Sequence, residues 1–124
     1  MEFRIETFAT GHADVQKQSK VTTGAAYDKI AADVIAAQGA GMVFKGTPVF
    51  KPEVTAVEVQ GASSTATLVD CLDITNWKPI IAATGVDAAQ PGQVLRYVVS
   101  ATAVKTQDSA WRISEYTPDR SRTC

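Results

Sequence analysis

Gly39 and Gly41 divide this chain into two regions of different periodicity. Before them, Tyr27, Ile30, Ala31, Val34 and Gln38 recur at helical spacing, with Ile35 adjoining the stripe. Thr22 or Thr23 supplies an N-cap and the two glycines stop the helix, which is predicted over 23–38. After Gly41 the texture turns to β. Short runs of β-branched and aromatic residues alternate with polar ones between Gly and Pro punctuation. Helices first and an antiparallel meander afterwards define an α+β domain.

Strands are predicted over 42–45, 54–60, 65–73, 77–83, 93–105 and 110–116, followed by a polar tail over 117–124. Two short helical pieces, 2–9 and 13–19, precede the main helix. The reading is a strongly curved antiparallel sheet of four to six strands wrapped around the N-terminal helices, cone-shaped with one open end. Tyr27, Ile30, Val34, Leu95, Tyr97, Val99, Trp111 and Ile113 are the expected core.

The 124 residues form one domain, 1–124, of ordinary globular composition, 45% apolar and 20% charged. Twelve Lys and Arg against 13 Asp and Glu give a net charge of −1, so no bulk basic field attracts nucleic acid. No apolar run approaches the roughly 18 residues of a spanning helix. Residues 1–6 carry no basic segment followed by an apolar run and a cleavage site. Phe3, Ile5 and Phe8 look like the end of an amphipathic helix. The chain is therefore read as lacking an upstream signal or lipid anchor.

The two cysteines, Cys71 and Cys124, lie 53 positions apart, with no CxxC and no Cys/His cluster to make a zinc site. One reading is a disulfide that ties the C-terminus to a central strand, which implies an oxidising, extracytoplasmic compartment. The other is two free thiols in a cytosolic protein.

Several segments together resemble a known family. They run from Ala9-Thr10-Gly11 through Gly41-Met42-Val43-Phe44-Lys45-Gly46, Pro48-Val49 and Pro52-Glu53-Val54-Thr55 to Val69-Asp70-Cys71-Leu72-Asp73. Trp77, Arg96, Ala101-Thr102-Ala103, Trp111-Arg112-Ile113 and Cys124 complete the pattern. It is similar to small secreted proteins and lipoproteins of actinobacteria and their phages with a nuclear transport factor 2-like (cystatin-like) fold. The resemblance implies a cone-shaped domain, export and often an upstream lipid anchor. It implies no established activity.

Enzymes of that superfamily place acid–base residues inside the cone. Asp70 shares a strand face with Leu68 and Leu72 and points into it on this reading, whereas Asp73 faces the other way. The plainer expectation is a strand-end carboxylate paired with Arg96 or Arg112. His12, the sole histidine, is read as a solvated loop residue beside Gly11. Arg96, Arg112, Arg120 and Arg122 are read as surface charges with local ion pairs. Tyr27, Asp70, Trp77, Tyr97 and Trp111 are the candidate pocket residues, with helix-to-sheet packing as the alternative for the aromatics and Trp77 set against the disulfide. No catalytic constellation, metal site or cofactor fingerprint is visible. The expectation is a non-enzymatic exported or envelope-associated domain that binds a protein or a small apolar ligand, with dimerisation through the sheet face open to it. One alternative is a ketosteroid isomerase- or dehydratase-like enzyme, with Asp70 or Asp28 as base and Tyr27 or Tyr97 as donor. Another is a prophage-encoded exclusion or accessory protein acting at the envelope.

Overall fold

The structure, a computed structural model, describes residues 20–60 and 63–124. The helical pieces expected over 2–9 and 13–19, and His12 between them, lie outside the described residues. Helix α1 spans Gly24–Gly39. Among the described residues six strands follow: β1 Met42–Gly46, β2 Glu53–Gln60, β3 Ser63–Asp73, β4 Trp77–Ile81, β5 Arg96–Lys105 and β6 Trp111–Thr123. They form two antiparallel sheets, ordered β2-β3-β5-β6 and β1-β4, where the sequence reading expected one, and no barrel closes among these residues.

The two sheets meet through a bend. Gly46 pairs with Trp77 at the end of one ladder and Glu53 with Val69 at the start of the other. Between them Val49 and Asp73 exchange both backbone hydrogen bonds, at 2.9 and 3.0 Å. One arm thus runs from β1 into β2 antiparallel to another that runs from β3 into β4. Pro48 and Pro52 lie at the bend, where a residue without an N–H removes no ladder bond. Gly46 makes the turn tight enough. Its φ is +89°, and a Cβ there would lie 1.8 Å from the Asn76 carbonyl oxygen.

Helix α1 starts where expected. Thr23 is extended, as an N-cap should be, but its side chain makes no capping bond. Its N–H instead donates to the Ile113 carbonyl at 2.9 Å, pinning the helix start to β6. The buried stripe is Ala26, Ile30, Val34 and Ala37. It is rotated from the expected one, because alanines at 26 and 37 let the backbone approach the sheet. Tyr27 and Ala31 sit at its margin, Gln38 is exposed, and Ile35 is 68% exposed.

Ile30, Val34 and Ala37 pack on Leu72, Ile74, Trp77, Tyr97 and Val99, with Phe44, Phe50, Val94 and Tyr116 around them. Four expected core residues are not there: Tyr27 and Ile113 are half-buried outside this cluster, and Leu95 and Trp111 are exposed. Leu95 precedes β5, which begins at Arg96 rather than 93, and its side chain is exposed. Trp111 is 45% exposed. It opens β6 opposite Lys105, whereas α1 begins over Ile113 and Ser114, so the helix leaves Trp111 uncovered.

The residues expected as a polar tail continue β6. Asp119 pairs with Val98 and Thr123 with Tyr97, so Arg120, Ser121 and Arg122 bulge out of the ladder. Cys71 and Cys124 are disulfide-bonded, with an S–S distance of 2.05 Å and Cα atoms 5.9 Å apart. β5 lies between β3 and β6, so this bond straps across it on the face away from the helix. Val98, opposite Cys71 in the ladder, is buried although it is no part of the helix-side core. Trp77 therefore stacks not on the disulfide but on Phe44, with ring centroids 4.7 Å apart.

Ile30→Ala should cost about 2–5 kcal/mol in urea unfolding, whereas Ile35→Ala should stay within about 0.5 kcal/mol. Gly46→Ala should destabilise more than either. Replacing both cysteines with alanine should cost on the order of 4 kcal/mol, the loop entropy of a 53-residue closure.

Candidate functional site

Strand alternation on β3 puts Leu68, Asp70 and Leu72 on the helix side. There they line a pocket of about 220 Å³ with Ile30, Phe50, Pro52, Val99, Ala101, Ile113 and Tyr116. Asp70 is its one acidic group and is 8% exposed. Its Oδ1 accepts the backbone N–H of Lys51 at 2.6 Å. Burial raises the Asp70 pKa above the ordinary carboxylate range, and the Lys51 N–H partly offsets that rise.

The expected ion pairs form elsewhere. Arg96 lies 3.8 Å from Asp73, on the opposite face of β3. Arg112 grips both oxygens of Asp108 at 2.8 Å, and this hydrogen bonding holds the Asp108 pKa far below the usual range. No cation pairs with Asp70 among the described residues.

Tyr116 is one of the pocket residues that sequence reasoning missed. Period-two alternation from Trp111 and Ile113 leads to Glu115 and Thr117. The register slips between Thr102 and Ala103, which pair with Glu115 and Ile113 and leave Ser114 as an extra residue. Beyond that bulge the faces exchange, so Ile113 and Tyr116 line the same pocket. The Tyr116 hydroxyl donates to Asp33 Oδ2 at 3.5 Å, and the Lys29 ammonium lies 4.8 Å from the ring centre.

The five candidate pocket residues do not come together. Asp70 alone lines this pocket. Trp77 and Tyr97 line a separate open cleft of about 1080 Å³ bounded by α1, the two-stranded sheet and the 82–95 loop. Tyr27 borders a shallow groove near the start of α1, beside Arg112. Trp111 lines none of the three. Asp28 is exposed on the helix and borders the same groove as Tyr27. No group of three His, Cys, Asp or Glu side chains converges among the described residues. No helix among them is long and apolar enough to cross a membrane.

No family model matches the chain, and no curated protein matches it. Among solved structures, the chain is similar to the intermembrane space region of the chloroplast protein ARC6. The TM-score is 0.56 at 15% identity, over 99% of this chain and 88% of that one. At this identity the likeness shows a shared fold and nothing about activity.

A carboxyl whose pKa is raised by folding stabilises the fold when protonated. That contribution is complete below the unfolded pKa and is lost as pH rises through the folded one. Asp70→Asn should therefore melt above the wild type at neutral pH, with the gap closing as pH falls and gone below about 4. A gap of constant size across that range would show that Asp70 does not carry the effect.

Proposed function

We propose that this chain is an exported, non-enzymatic domain that binds a small apolar ligand in the pocket around Asp70. The observation that carries the reading is a cavity walled almost wholly by apolar side chains with one buried carboxylate. Binding sites are mostly apolar with a few placed polar groups. Lys51 already engages Oδ1. A ligand hydroxyl or amine then has the remaining carboxyl oxygen to meet. The volume limits the ligand. Drug-sized molecules occupy roughly 300–1,000 Å³, and a cavity of about 150 Å³ takes benzene. At about 220 Å³ the pocket suits a single ring or a short branched chain.

Export is supported by the Cys71–Cys124 bond, since disulfides persist in oxidising compartments. The fold likeness to the intermembrane space region of ARC6 agrees with it. The nuclear transport factor 2-like assignment, the cone shape, the upstream anchor, an envelope partner and an actinobacterial or phage origin belong to the same proposal. They rest on the sequence resemblance and on the bent, helix-covered sheet.

A second reading has a specific observation behind it. A buried carboxyl with a raised pKa, in a pocket that also holds Tyr116, is the environment of a general base. The substrate would then be a monocyclic enolisable ketone rather than a steroid, which is too large for the pocket.

Titration calorimetry with benzyl alcohol and toluene separates the readings. Preferential binding of the alcohol, lost in Asp70→Ala and blocked by Ala101→Phe, is the expected result. Absence of binding by both probes at millimolar concentration would sink the proposal. Deuterium exchange at C2 of cyclohexanone, abolished by Asp70→Asn, would establish the enzyme instead.

A further inference from the structure

The open cleft on the other side of the core holds a charge that the Asp70 pocket does not use. Three cleft side chains are ordinary apolar wall: Phe44, Trp77 and Leu95. Two acidic groups on its lining are already engaged. Asp87 pairs with Lys78 at 4.0 Å, and Asp33 accepts the Tyr116 hydroxyl. Arg120 is different. Its guanidinium carbon lies 4.9 Å from the centre of the Tyr97 ring, and Nη2 donates to the Tyr97 hydroxyl oxygen at 3.3 Å. No carboxylate lies within ion-pair distance of it among the described residues.

The backbone explains the placement. Arg120 opens the three-residue bulge of β6, between the pairings Asp119↔Val98 and Thr123↔Tyr97. The Asp119 carboxylate accepts the Ser121 N–H at 3.1 Å and turns the chain there. The disulfide at Cys124 fixes the far side. Continuing the ladder from Asp119↔Val98 would set residue 120 beside Tyr97. Arg120 stays over that ring although the bulge gives the backbone pairing with Tyr97 to Thr123.

Tyr97 is a second and independent sign. The residue is 4% exposed and borders the cleft. Its oxygen accepts from Arg120, and its own proton has no acceptor among the described residues. A guanidinium without a carboxylate and a buried phenol with a proton to give converge at one end of an aromatic-walled cleft. Both are donors, and together they suit a carboxylate.

We propose that this cleft is a second binding site, for an aromatic or arylalkyl monocarboxylate. Its carboxylate sits between Arg120 and the Tyr97 hydroxyl, and its ring lies against Phe44 and Trp77. This site is distinct from the Asp70 pocket and stands if that reading fails.

The test uses 4-(trifluoromethyl)phenylacetate and its neutral primary amide, followed by fluorine NMR line broadening against the full chain. The acid should bind at least about tenfold more tightly than the amide, the scale of one charge-assisted contact. Arg120→Gln should reduce that preference to within about twofold, and Arg120→Lys should retain part of it. Tyr97→Phe should weaken the acid alone. In a Trp111→Phe background, emission from Trp77 should change on saturation. Asp70→Asn should leave all of this unchanged. Equal binding of acid and amide, a preference that survives Arg120→Gln, or no binding of the acid at millimolar concentration would each overturn the proposal. Arg120 is exposed, so its variants should fold, which circular dichroism checks directly.

Discussion

The described residues depend on one narrow helix lying across a face wider than itself. An α-helix with its side chains is roughly 10–12 Å across. Four strands spaced by about 4.8 Å span nearly 15 Å between the outer axes, before side chains are added. Ile30 and Val34 fill the middle of that face, over Leu72 on β3 and Tyr97 and Val99 on β5. Among the described residues, two regions beside this contact are left open. One is the Asp70 pocket, next to Ile30. The other is the cleft by Ala36 and Ala37, between the helix end and the two-stranded sheet. Both candidate sites are thus consequences of the packing that makes the core.

The two sites have opposite chemistry. One holds a carboxyl that burial pushes toward neutrality, and the other a guanidinium whose charge is supported by an aromatic face. Removing a carboxylate from water without a cation is costly, and the single Lys51 N–H compensates only in part. Arg120 carries no such cost, since it remains exposed and gains from Tyr97. A ligand that satisfies Asp70 would relieve a penalty, whereas one at Arg120 would gain mainly from an organised pair of donors.

The class of fold was legible in the sequence because periodicity reports it directly. The helix ends, five of the six strand positions and the inward face of β3 follow from spacing alone. What was not legible depends on register. The bulge at Ser114 exchanges the faces of β6, so alternation pointed to Glu115 and Thr117 and concealed Tyr116. The bulge at 120–122 looks like a polar tail until the Thr123↔Tyr97 pairing is known. Trp111 is apolar and in phase with Ile113, yet exposed, because no periodicity states where a helix ceases to cover a strand. The split into two sheets was equally hidden. It turns on the bend around Pro48 and Pro52, which sequence alone marks only as an interruption.

The strap from Cys124 to Cys71 also governs how the domain would carry mechanical load. A pull on the backbone at Cys124 would pass through the sulfurs into β3, in the middle of the four-stranded sheet. β5 and β6 would lie outside the line of force, inside a covalent loop that cannot lengthen while the bond holds. The 53-residue span between the cysteines is therefore withheld from extension. Resistance would come from β3, sheared along β2 and β5 at once, rather than from the peeling of β6 one hydrogen bond at a time. A tether attached at this end would reach the centre of the fold first.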